Sequence, residues 1–158
     1  MQNVKKLLLK LLPISIFAIA MGHLEGVVVV YLRGILPTVI ELEGITAYTE
    51  YARILMASSI IFTEQTRELA TIIMLIIFAG LIGKNLMQRL AVFLYIFGMW
   101  DITYYISLYI LLRWPPSLLT IDTLFLIPGP WIAPVYVPVI LSFIMIGIGI
   151  YILKREWT

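Results

Sequence analysis

Cysteine is absent from the 158-residue chain, and histidine occurs once, at His23. The first absence excludes disulfides, Fe–S clusters, thiolate metal sites and a thiol nucleophile. A single histidine excludes a bis-His haem within this chain and a His-rich zinc site. Charge is scarce as well: 13% of residues are Asp, Glu, Lys or Arg, where a soluble domain carries about a quarter. The formal net charge of +2 is too small to suggest a polyanionic partner, so nucleic acid is not expected. There is no Gly-rich phosphate loop, no Ser-His-Asp spacing, no internal repeat and no low-complexity segment. What remains is apolar. Hydrophobic residues make up 62% of the chain, and its mean hydropathy is +1.04. Such a composition excludes disorder and an ordinary cytosolic enzyme. It points to an integral membrane protein whose first partner is the lipid bilayer.

Four segments are long enough to cross a hydrocarbon core of about 30 Å, at 1.5 Å of helix per residue. They cover residues 11–32, 64–82, 90–112 and 132–153. None alternates with period two, and a span in lipid must satisfy its own backbone hydrogen bonds, so helices are expected rather than barrel strands. The fold class expected is all-α. Residues 1–158 form one transmembrane domain, an integral membrane four-helix bundle with interfacial or re-entrant segments on the outer side. Lys5 and Lys6 before an apolar stretch, with Ala18-Ile19-Ala20 after it, resemble a secretory leader. The apolar run resumes at Gly26-Val27-Val28, however, and an uncleaved first helix is expected.

Two connections carry turn chemistry. Residues 34–63 hold Pro37, Glu41, Glu43, Glu50 and the short run ILMASSIIF, which reads as an interfacial helix or a re-entrant segment around 53–62. Residues 113–131 hold Pro115, Pro116, Pro128 and Pro130, which prevent a continuous helix. There Asp122 is expected to cap a short interfacial helix over 123–127, within a segment (117–127) that could also enter the membrane. Pro134 and Pro138 are expected to kink the fourth helix, and Gly147 and Gly149 to let it pack closely. Trp100 reads as a packing residue. Tyr31, Tyr48, Tyr51, Trp114, Trp131 and Trp157 suit the headgroup level.

Ionisable groups inside the spans are the informative feature, because each costs at least about 2.5–3.5 kcal/mol on insertion scales and normally finds a partner in the bundle. His23 and Glu25 lie on the first span, about 200° apart around a helix. Gly22 and Gly26 form a GxxxG that admits a close neighbour. Glu64, Arg67, Glu68 and Thr71, at i, i+3, i+4 and i+7, share one face of the second span. Asp101, Tyr104, Tyr105 and Tyr109 share a face of the third. Together these define a polar cluster of His23, Glu25, Glu64, Arg67, Glu68, Asp101, Tyr104 and Tyr105, with Asp122 and Arg113 as secondary members. It falls in the outer half of the bilayer when the terminal lysines face inward.

Four readings of the cluster stay open. In the structural one, Arg67 pairs with Glu25, Glu68 or Asp101 and locks helices together. In the second, the cluster binds a ligand such as a quinone headgroup. The third is a proton or ion pathway, as in a proton-coupled carrier or channel. The fourth is a metal site drawn from Glu25, Glu68, Asp101 and His23, serving an intramembrane carboxylate-metal oxidoreductase. That site has too few histidines for paired Glu-x-x-His motifs, and Arg67 would repel the cation. The function expected is a membrane subunit or binding protein for a ligand or a partner protein. Other membrane subunits, or further copies of the chain, are the candidate partners.

The stretches GHLEGVVVVYLR, FTEQTRELATIIML and FGMWDITYYISLYILLRWPPSLLTIDTLFLIPGPWIAPVYVPV together resemble a group of small polytopic prokaryotic membrane proteins. The resemblance covers roughly residues 20–145. WD-x-x-YY followed by WP-x-SLLT-x-D-x-LFLIP-x-PW is its most specific part. Trp131 is followed here by Ile-Ala-Pro, where the pattern would have Val-Gly-Pro. The resemblance implies a defined membrane family and brings no chemistry. With it, the chain is expected in a prokaryotic inner (cytoplasmic) membrane. Lys5, Lys6, Lys10, Lys84, Arg89, Lys154 and Arg155 would flank the inner ends, against Arg33, Arg53, Arg67 and Arg113 outside, which puts both termini in the cytoplasm.

Overall fold

The computed structural model describes residues 2–35 and 60–157. Four helices dominate it: α1 (Gln2–Ile35), α2 (Ile60–Ile82), α3 (Leu86–Leu112) and α4 (Tyr136–Trp157). All four are long and apolar enough to cross a membrane. Their outward surfaces carry large apolar side chains such as Leu81 (80% exposed) and Phe62 (72%), the reverse of a water-soluble bundle. Each helix begins or ends a few residues away from the expected limits. The largest difference lies in the first, which starts at Gln2 rather than 11, while the fourth starts at Tyr136 rather than 132.

α3 is the central helix, packed against α1, α2 and α4. Missing Cβ atoms explain how it approaches two of them so closely. A Cβ on Gly22 would collide with the Trp100 carbonyl, and one on Gly26 would lie 2.8 Å from the Ser107 Cβ. On the other flank, a Cβ on Gly98 would lie 2.6 Å from the Ser142 carbonyl, and one on Gly149 would lie 2.8 Å from that of Ala91. Dispersion between close backbones is what holds helices together when the solvent is itself hydrocarbon. Gly147 does not share this role, because nothing lies within 4 Å of its would-be Cβ. Around these contacts Ala18, Leu75, Val92, Ile96 and Leu153 form a fully buried core. Phe17 and Phe78 stack at 3.8 Å across α1 and α2.

The α2–α3 turn is tight. Asn85 accepts the Gln88 N–H at 2.8 Å, and the Gln88 side chain accepts the Lys84 N–H at 3.1 Å. This reciprocal cap starts α3 antiparallel to α2. At its far end α3 stops at Arg113, whose left-handed backbone (φ 56°) turns the chain while its N–H still bonds the Tyr109 carbonyl. Both described ends of the chain therefore share one end of the bundle, the terminal end, with Lys10, Lys84, Lys154 and Arg155.

At the opposite end the short helix expected over 123–127 is replaced by a hairpin. Strand β1 (Ile121–Phe125) pairs antiparallel with β2 (Trp131–Pro134), with Asp122 opposite Ala133 and a bulge between Thr123 and Phe125. Ile121, Thr123, Phe125, Trp131 and Ile132 favour a pleated surface, and Pro128-Gly129-Pro130 cannot extend a helix. The fold is therefore mostly helical, as expected, with one small two-stranded sheet added at this end. Pro134 ends β2, and Pro138 lies in the first turn of α4, where its missing N–H costs no helical bond; neither stands in a helix interior. The interfacial segment expected at 53–62 lies outside the described residues, except for Ile60–Phe62, which open α2.

Candidate functional site

The face of α2 forms as its spacing implies: Glu64, Glu68 and Thr71 are all buried and Arg67 is partly buried. Arg67 forks. Its Nε and Nη2 donate to Glu64 Oε2, each at 2.9 Å, while Nη1 pairs with Glu25 on α1. Thr71 Oγ1 also donates to Glu25, at 3.4 Å. The guanidinium thus occupies the point where the Glu25 and Glu64 carboxylates converge. Its planar donor fork suits two acceptors better than an ammonium would.

Glu68 turns to a different task. Its Oε2 accepts the backbone N–H of Leu126 at 2.9 Å, and Gln65 Nε2 donates to the Leu126 carbonyl at 3.1 Å. Leu126 is buried, at 4% exposure, and its peptide groups lie beyond the last paired residue of β1. α2 thus supplies both hydrogen bonds that the hairpin ladder omits.

The other side of the hairpin is tied to α3. Tyr105 donates to Asp122 Oδ2 at 3.0 Å, and the Thr123 N–H donates to Oδ1 at 2.9 Å. Asp122 therefore anchors a strand instead of capping a helix. Burial pushes its carboxyl up to about 6, with the nearby Arg33 guanidinium opposing the shift most strongly, followed by the Tyr105 and Thr123 hydrogen bonds. Arg33 lies 3.9 Å from the centroid of Trp114, which stacks with Tyr105 at 6.3 Å.

Asp101 is bonded elsewhere. It accepts from Ser142 Oγ on α4 at 2.8 Å, joining the two helices beside the Gly98 contact. His23 is exposed, and its Nδ1 lies 3.1 Å from Ser107 Oγ on α3, so the ring meets a hydroxyl rather than a carboxylate. Tyr104 stacks edge-on against Tyr105 at 4.9 Å. Arg113 serves as the end of α3, and its guanidinium lies 5.8 Å from the Tyr109 ring.

The expected single cluster is thus distributed over an α1–α2 ion pair, a hairpin clamp and an α3–α4 hydrogen bond. Among the described residues, no three His, Asp or Glu side chains form a group able to hold a metal. Two buried donors, Trp100 Nε1 and Thr123 Oγ1, have no hydrogen-bond partner among the described residues. Sequence reasoning missed Arg33, Gln65, Ser107 and Ser142. Ser142 carried a signal, since a lone small polar residue in an otherwise apolar run is costly without a partner. Gln65 carried none, because its acceptor is a backbone carbonyl 61 residues away.

Comparison of the chain with family models, with curated proteins and with solved structures finds no match.

Proposed function

We propose that this chain is a small polytopic membrane subunit that binds a partner protein at its hairpin end, with the polar cluster bracing that end. One observation carries the reading. The helices grip the hairpin through buried polar side chains, at Leu126 and at Asp122, while Leu118 and Leu119 in the turn leading into it and Trp131 on it stand exposed at 56%, 74% and 56%. Polar residues are costly in a membrane bundle, and here they are spent on fixing one surface element. A fixed surface with apolar anchors is what a partner can recognise without paying for loop ordering. The abundance of basic residues at the terminal end supports a cytoplasmic location for both termini in an inner membrane.

A ligand such as a quinone remains the second reading, favoured by the unpartnered donors Trp100 Nε1 and Thr123 Oγ1, which could bond a carbonyl oxygen. The carboxylate-metal reading is disfavoured by the position of Arg67 between Glu25 and Glu64. A carrier would want a polar path to the terminal end, where Leu75, Val92 and Ile96 pack instead.

A photo-crosslinking residue at position 119 or 131, expressed in cells, tests the proposal. Adducts to one discrete membrane protein are expected from both positions, and none from position 143 on the exposed face of α4. The double change Gln65→Leu and Glu68→Leu, which releases Leu126, should weaken them. Adducts to lipid alone, or equal protein adducts from 143, would sink the idea. Mass spectrometry of solvent extracts from Trp100→Phe with Thr123→Val addresses the second reading.

A further inference from the structure

At the terminal end the helices leave a cleft of about 570 Å3. Its floor is apolar: Pro13 and Ile14 from α1, with Phe78 and Ile82 from α2. Its rim is cationic, with Lys10 on one side and Lys84 on the other. Neither lysine is ion-paired to a carboxylate among the described residues. Glu156 also borders the cleft, but its Oε2 accepts from Asn85 Nδ2 at 3.0 Å and from Gln88 Nε2 at 3.5 Å. Amide donors thus engage this carboxylate, and it forms no ion pair with either lysine among the described residues. Trp157 closes the cleft, with Lys10 Nζ 5.0 Å from its ring centroid.

We propose that this cleft binds an anionic phospholipid from the leaflet at the terminal end, with its phosphodiester between Lys10 and Lys84 and an acyl chain over Ile14, Phe78 and Ile82. The site is amphiphilic in the same order as the ligand: charge at the rim, hydrocarbon below, and a tryptophan at headgroup level. The volume is in the range of about 300–1,000 Å3 common for ligand sites. Phe78 is fixed by its stack on Phe17, so the floor is formed in advance. Basic pockets between spans attract anionic headgroups, and Lys154 and Arg155 in the last turn of α4 add positive potential nearby. A soluble phosphate would meet the two lysines but leave the floor unused. This assignment does not depend on the role of the hairpin end.

The test uses the full chain in uncharged detergent. Native mass spectrometry and thermal unfolding are followed with added phosphatidylglycerol, phosphatidylcholine or glycerol phosphate. One bound phosphatidylglycerol and a raised melting temperature are expected, with weaker binding of phosphatidylcholine and none of glycerol phosphate. Lys10→Gln with Lys84→Gln should weaken phosphatidylglycerol binding about ten-fold or more. Both side chains are exposed, so lipid-free melting should stay unchanged. Ile82→Trp, at a floor position that is 38% exposed, should abolish binding with both lysines in place and leave lipid-free melting unchanged. Equal binding of the two lipids, equal binding by the lysine double variant, or glycerol phosphate binding as strong as lipid would overturn the proposal.

Discussion

Replacing Arg67 with Leu removes the cation that pairs with both Glu25 and Glu64 among the described residues. Both carboxylates are enclosed, with side chains 12% and 7% exposed, and Arg67 itself is 22% exposed. After the change Glu25 keeps only its 3.4 Å bond from Thr71, and Glu64 keeps no side-chain donor among those described. Breaking a buried pair by deleting one partner costs about 3–5 kcal/mol, because the remaining charge stays desolvated. For a chain of this size, 1 kcal/mol corresponds to about 2–4 °C, so Arg67→Leu should melt about 6–20 °C lower in detergent. Removing the whole network should cost far less than breaking it. Arg67→Leu combined with Glu25→Gln and Glu64→Gln should therefore recover most of the loss. Arg67→Lys should fall between the two, since one ammonium cannot reproduce the fork to both carboxylates. A wild-type melting temperature for Arg67→Leu, or a triple variant no better than the single, would refute the argument.

Gly98→Ala should destabilise by about 1–3 kcal/mol, because the new Cβ meets a backbone carbonyl that α4 cannot move cheaply, while Gly147→Ala meets nothing and should be neutral or better; parallel melting curves compare them. Asp122 has a folded-state pKa raised from 3.8 to about 6, so the folded chain binds this proton more tightly than the unfolded one. Its contribution to stability should rise as pH falls from about 6 towards 4 and be lost as pH rises, by about 3 kcal/mol in all at roughly 1.4 kcal/mol per pH unit. Asp122→Asn should flatten that slope in melting curves between pH 7.5 and 4.5. Reporter fusions at Thr158 and within 41–50 should place these two points on opposite sides of the membrane, Thr158 in the cytoplasm. An external Thr158 would reverse the orientation drawn from the lysines. Asp101→Asn should melt within about 1 kcal/mol of wild type, because an amide oxygen can still accept from Ser142.

The four helices were legible in the sequence because lipid leaves a span little choice. It must bond its own backbone, and the apolar runs are long enough for nothing else. The shared face of Glu64, Arg67, Glu68 and Thr71 was legible for the same reason, since helical period alone aligns them. So was the close approach of Gly22 and Gly26 to a neighbouring helix. Which partner each polar group takes was decided only in three dimensions. Glu68 meets Leu126 across 58 positions, and Asp101 meets Ser142 across 41. No local rule connects residues at such distances. The hairpin is the clearest case. Five residues over Ile121–Phe125 are too few for periodicity to separate strand from helix, and an Asp before Thr reads equally well as a cap. Pairing with Trp131–Pro134, and the buried anchors at Asp122 and Leu126, chose the strand, because a polar group enclosed beside an apolar helix bundle takes the conformation in which its hydrogen bonds are made.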